Sequence, residues 1–417
     1  MSEEQMMNTD RLIKYVSDGV DAAKRGEACA VYAQVKPWHD RGMLPTRSHY
    51  AFGWIIYYAI HQSADSDIEG RKRMLACYLK LSVPRPHKLH SMILTESIRL
   101  YKNAKEKSFK FRDSRERSPE SFSIVRFCDI WGLQNLRLGD WRRKEHEGKL
   151  LSSTVEKLIT QYADELESTG LAPTADFQKV MKQAATEYPD SYNLHSQQAM
   201  LLMRESRYEE AAALLRRALL SAPGKFFLWS RLAEAVGHRG DYRLQSALLY
   251  KALKSPGDER FKGKVHMSLA RIWIEVKAYG YALWELKSIR GIYESNGWHL
   301  PAEAGSMIRK IPEGQAAEDP EPLYRRIEQL ADNEIYASLP VVSARKCYHR
   351  EPESDGRFAP RGVRRISWGV RDGEGKIHWF QPSRFRIDPS LPEGTEVELR
   401  IYNGKPVTAS LADTEKK

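Results

Sequence analysis

The sequence predicts a mainly α chain, an α-solenoid of stacked helix pairs that ends in a small five-stranded β-barrel. Three observations carry this. Between about residues 177 and 289 one pattern returns at a fixed interval: Ala199 and Ala233, Tyr208 and Tyr242, Ala218 and Ala252, and Pro189 and Pro223 each lie 34 residues apart. Apolar residues recur at helical spacing through most of the first 336 positions. Beyond Pro340 that spacing gives way to short alternating runs bounded by turn residues.

The repeats are the clearest element. In the unit from Tyr192 to Pro223, Ala199 is the small residue at the helix crossing, and Arg207-Tyr208-Glu209-Glu210-Ala211 turns into the second helix. The next unit has Trp229, Leu232 and Ala233, then Gly240-Asp241-Tyr242; the third has Leu269, Ala270, Tyr279 and Ala282, delayed by loop residues between Gly257 and Lys264. A helix pair cannot bury its apolar face alone, so units of this period must stack. These residues resemble the tetratricopeptide repeat over about three units, with Phe177 to Pro189 looking like the second helix of one more. Stacked pairs expose a groove lined by first helices, where His195, Gln198, Arg231 and Arg271 are the candidate contacts for a protein partner.

Composition narrows the class. The chain has 417 residues, 41% of them hydrophobic and 29% charged, with a net charge of +11, which favours a polyanionic partner. No apolar run approaches the roughly 18 residues of a membrane span, and Met1 to Asp10 lacks the pattern of a signal peptide. A cytoplasmic protein is expected. Cys29, Cys77, Cys128 and Cys347 are too scattered for a disulfide framework or a zinc site and read as buried free thiols.

Residues 1–170 read as helices that continue the stack in degenerate form, followed by repeats over 171–311, a linker and connecting helix over 312–340, and the barrel over 341–413, which is expected to fold independently. Within the first region, His49 to Ile60 suggests either an aromatic cofactor box or, the favoured reading, a buried helix apolar nearly all round. His87 and His90 share a helical face without a Cys or carboxylate partner at ligand spacing, so capping or surface roles fit better than a metal. The basic run from Lys102 to Arg117, interleaved with Phe109 and Phe111, is a solvated helix end or a phosphate-contacting ledge. A helix from Ser152 to Glu167 opens with Ser152 as a cap and no capping box.

The five C-terminal runs, Val341 to Tyr348, Gly362 to Arg371, Lys376 to Gln381, Thr395 to Tyr402 and Pro406 to Leu411, match the OB-type barrel. The region resembles the cold-shock and OB superfamily: Ile366-Ser367-Trp368-Gly369-Val370 and Ile377-His378-Trp379-Phe380 stand at its two ribonucleoprotein motifs, and Pro392 to Leu399 at its turn into the fourth strand. From Arg345 to Arg386 there are eleven Lys or Arg against five Asp or Glu. Basic residues that track phosphate and rings on which bases stack are the ingredients of a single-strand binder. Alternation alone puts Ile366, Trp368 and Val370 on the core face. The resemblance implies instead that Ser367 and Gly369 point inward, and this second register is preferred here. It sets Trp368, His378 and Phe380 to stack bases and Arg364, Lys376 and Arg384 to contact phosphate in RNA or single-stranded DNA.

No phosphate-cradling loop, HExxH or GxSxG occurs, so neither an enzyme nor a cofactor is expected. Two classes remain, a nucleic-acid-binding adaptor and a protein scaffold with a structural barrel. The order of helices, repeats and barrel, with Pro45 to Trp54 and Val83 to Pro86, resembles the tetratricopeptide/OB proteins of TOTE-type prokaryotic conflict systems. That resemblance implies a non-catalytic nucleic-acid-sensing subunit working with a separate effector against phage or mobile elements.

Overall fold

The computed structural model describes residues 3–110, 122–350, 366–385 and 387–412. The chain forms two compact units, 1–197 and 198–417. The first holds α1 (Glu3–Ala22), α2 (Ala28–Asp40), α3 (His49–Gln62), α4 (Ile68–Leu79), α5 (Lys88–Lys110), α6 (Ile124–Trp131), the single turn α7 (Leu138–Trp141), a hairpin of β1 (Lys144–His146) and β2 (Lys149–Leu151), α8 (Thr154–Thr169) and α9 (Ala175–Glu187). Helix α10 (Tyr192–Arg204) runs across the boundary.

In the first unit α3 is not apolar all round in its packing. Phe52, Ile55, Ile56, Ala59 and Ile60 are buried, while Tyr50 stays exposed and Trp54 and Tyr58 are half-buried. His90 is buried: it stacks on Trp131 at 4.2 Å, and burial pushes its imidazole down to about 4. The N-cap of α8 is Ser153, one residue later than expected, and it does form a capping box with Glu156. Glu156 also holds Arg143 at 2.6 Å. All four cysteines are free; Cys29 is exposed and Cys347 half-buried where buried thiols were expected. Phe111 to Arg117 of the basic run lie outside the described residues, as do the side chains of Lys107, Phe109 and Lys110; Lys105 pairs with Asp164 at 2.5 Å.

The second unit contains α11 (Tyr208–Ser221), α12 (Phe226–Gly237), α13 (Tyr242–Lys254), α14 (Gly263–Glu275), α15 (Tyr279–Ser295), α16 (Ala302–Ile308) and α17 (Glu321–Tyr336). Helices α12 with α13 and α14 with α15 are packed pairs. Ala199, Ala233 and Ala270 are fully buried, and Tyr208, Tyr242 and Tyr279 each open the second helix of a pair. The turn before each of those tyrosines contains a left-handed residue at the equivalent position: Ser206, Gly240 and Lys277. Helix α17 returns over the second helices. Tyr324 and Ile327 are buried there, Arg216 pairs with Glu334 at 2.5 Å, and Lys251 pairs with Glu328 and Asp332 at 2.9 Å each.

A curled antiparallel sheet follows: β3 (Val341–Arg350), β4 (Ser367–Asp372), β5 (Ile377–Phe380), β6 (Glu396–Tyr402) and β7 (Lys405–Leu411), hydrogen-bonded in the order β5-β4-β3-β6-β7. Its concave side buries Ala344, Trp368, Val370, Phe380, Val397 and Leu399. No helix of the described residues is long and apolar enough to cross a membrane.

Candidate nucleic-acid interface

Register decides which side chains the sheet offers. Trp368 pairs with Phe380, Gly369 with Trp379, and Val370 with His378. Successive residues of a strand point to opposite faces, and the hydrophobic core takes Trp368, Val370 and Phe380. The preferred register is therefore overturned. Trp368 is fully buried, donates from Nε1 to the Pro389 carbonyl at 3.2 Å, and has the Lys346 ammonium 4.4 Å from its ring centre. Burial pulls the Lys346 ammonium below its ordinary value.

His378 goes inward with Phe380, where the preferred register set both outside to stack bases. It is kept there by Asp372, whose carboxylate meets Nε2 at 2.7 Å. The same carboxylate accepts the backbone N–H groups of Glu374 and Lys376, closing the β4–β5 turn. The His378 hydrogen bond, first among these, holds the Asp372 carboxyl below its usual range. Neither Trp368 nor His378 nor Phe380 is available to a base.

The outer face carries a different set. Tyr348, Gly369 and Trp379 form one cross-strand row, and Arg371 lies between Arg345 and Ile377 in the next. Trp379 is 47% and Tyr348 41% exposed, with ring centres 6.2 Å apart and planes within 23°. Gly369 makes this possible. A Cβ there would stand 3.1 Å from the Trp379 ring and 3.1 Å from the Tyr348 Cβ. Cations border the rings: the Arg350 guanidinium lies 5.6 Å from the Trp379 ring centre, and Arg371 donates to the Tyr348 hydroxyl at 3.0 Å. Of the expected phosphate contacts, Lys376 is exposed at the start of β5, Arg384 is exposed over Phe385, and Arg364 lies outside the described residues.

The candidate contacts on the repeats fare unevenly. His195 is buried, in register with the buried Trp229 of the next unit, so it is a packing position. Gln198 and Arg231 are half-buried, and Arg271 is exposed but paired with Glu303 at 2.5 Å. Among the described residues no group of three or more His, Cys, Asp or Glu is placed to hold a metal ion.

Fold and site together define a helix-pair-repeat chain that carries a curled five-stranded sheet with an aromatic, arginine-bordered outer face. Residues 193–331 match a family model described as a domain of unknown function (DUF7017). No curated protein matches. Among solved structures, the human IFIT1 dimer with PPP-AAAA is similar at 13% identity, over 74% of this chain and 70% of that one, with a TM-score of 0.34. A likeness that distant says nothing of what this chain binds.

Proposed function

We propose that this protein is a non-catalytic adaptor that grips single-stranded RNA or DNA on the outer face of its C-terminal sheet, while its helix pairs recruit a protein partner. The observation that carries the reading is the exposed Tyr348–Trp379 pair over Gly369, with Arg350 and Arg371 beside it. Bases stack on such rings at about 1–3 kcal/mol each, independently of sequence. The strand order supports an OB-type barrel left open between its third and fifth strands, a fold whose second and third strands supply the binding face. A cytoplasmic role beside a separate effector enzyme, in a TOTE-type anti-phage system, is the wider setting this reading fits.

The test is equilibrium binding of a labelled single strand to the full chain. Tyr348→Ala with Trp379→Ala should weaken binding by a few kcal/mol on the stacking estimate and leave the melting temperature nearly unchanged. Undiminished affinity in the folded double variant would remove the sheet from the binding surface.

A further inference from the structure

The first unit carries a second arrangement of rings and cations, on α3 and the start of α5. Along the outer side of α3, Tyr50, Trp54 and Tyr58 follow at four-residue intervals, which a helix advances by about 6 Å each. Trp54 and Tyr58 stack at 5.9 Å, Tyr50 meets Trp54 edge-on at 6.4 Å, and at the far end Tyr57 stacks on His61 at 5.7 Å. The core accounts for the other side of this helix. On this side Tyr50 is exposed and Trp54 and Tyr58 are half-exposed, so the ladder presents apolar ring surface to solvent.

The electrostatics point to the occupant. Across residues 41–105 the sequence has eleven Lys or Arg against four acidic residues, Asp65, Asp67, Glu69 and Glu96. Glu96 is itself buried and held by His61 at 2.8 Å. At the Tyr50 end of the ladder His87, edge-on to Tyr50 at 4.9 Å and hydrogen-bonded to its hydroxyl at 3.3 Å, is flanked by the exposed Arg85 and Lys88. At the other end Arg99 is already engaged, by Asp65 at 2.9 Å and Glu96 at 3.8 Å. An aromatic ladder that leads to a pair of exposed cations suits a chain of phosphates with flat groups between them.

We infer that this face of the first unit is a second binding site for single-stranded nucleic acid, in which successive bases of an extended strand stack on Tyr50, Trp54 and Tyr58 and phosphates lie against Arg85 and Lys88. It is independent of the rings on the sheet.

The experiment uses the full chain with Tyr348→Ala and Trp379→Ala, so that the sheet is silent, and a labelled uridine or thymidine 20-mer. Ultraviolet crosslinking followed by trypsin digestion should place crosslinks on the peptide from Ser48 to Arg71, which contains the whole ladder. Arg85→Glu with Lys88→Glu, both at exposed positions, should lower affinity at least tenfold and reduce the salt slope by about one for each phosphate no longer neutralised. Absence of crosslinks from that peptide, or unchanged affinity in the folded charge variant, overturns the site and leaves the face to a protein. If the silenced background binds nothing while the parent binds, the ladder fails and the sheet reading stands; if the parent binds nothing, both fail.

Discussion

Gly369 shows how much one missing Cβ decides. The Trp379 ring and the Tyr348 Cβ close over it, so Gly369→Val should push the rings apart and weaken single-strand binding without unfolding the sheet, measurable by affinity and melting in parallel. The neighbouring Trp368 should behave oppositely. Removing a large ring from a packed core costs about 3–5 kcal/mol, so Trp368→Ala should destabilise the sheet in chemical denaturation whatever it does to binding. His90 sets a pH dependence in the first unit. Its folded imidazole stays neutral down to about 4, whereas an unfolded one gains a proton near its ordinary value of about 6.5. Stability from this group is therefore complete above that value and declines as pH falls through the window. Melting curves between about pH 7 and 4.5 should show the decline, and His90→Gln should flatten it.

At the scale of elements, the turns and the returning helix hold the repeats. Lys277 occupies a left-handed position that Gly240 fills in the preceding unit, and a non-glycine residue there is strained. Lys277→Gly should raise stability by about 0.5–1 kcal/mol in urea unfolding. Tyr324 on α17 donates to the buried Glu285 carboxylate at 2.5 Å and accepts from Trp273 Nε1 at 2.8 Å. Tyr324→Phe leaves both without that partner, at about 1–3 kcal/mol. The 34-residue period made the repeats visible, because stacking forces Ala199, Ala233 and Ala270 to be small at one position in every unit. The docking of α17 was not visible. It depends on charge pairs such as Arg216 with Glu334, separated by more than a hundred positions, and no local spacing encodes them. The cap of α8 was missed by one residue although Ser153-x-x-Glu156 stands in the sequence as a capping box.

For the whole molecule, charge and aromatic content pointed to a single-strand binder, and the five strands were legible from alternation. The face was not. Alternation of Ile366, Trp368 and Val370 already marked the core side; the family resemblance argued for the reverse because Gly369 is small. It is small because Trp379 lies over it on the outside. A histidine placed inward was equally unreadable, since the Asp372 carboxylate that meets His378 Nε2 comes from the far side of a turn. The most direct test of the account is the salt dependence of single-strand binding by the unmodified chain beside Arg371→Gln. The account predicts that affinity falls linearly with the logarithm of salt concentration, and that removing Arg371 lowers the slope by about one. Failure of the unmodified chain to bind either RNA or DNA single strands at low salt would contradict it.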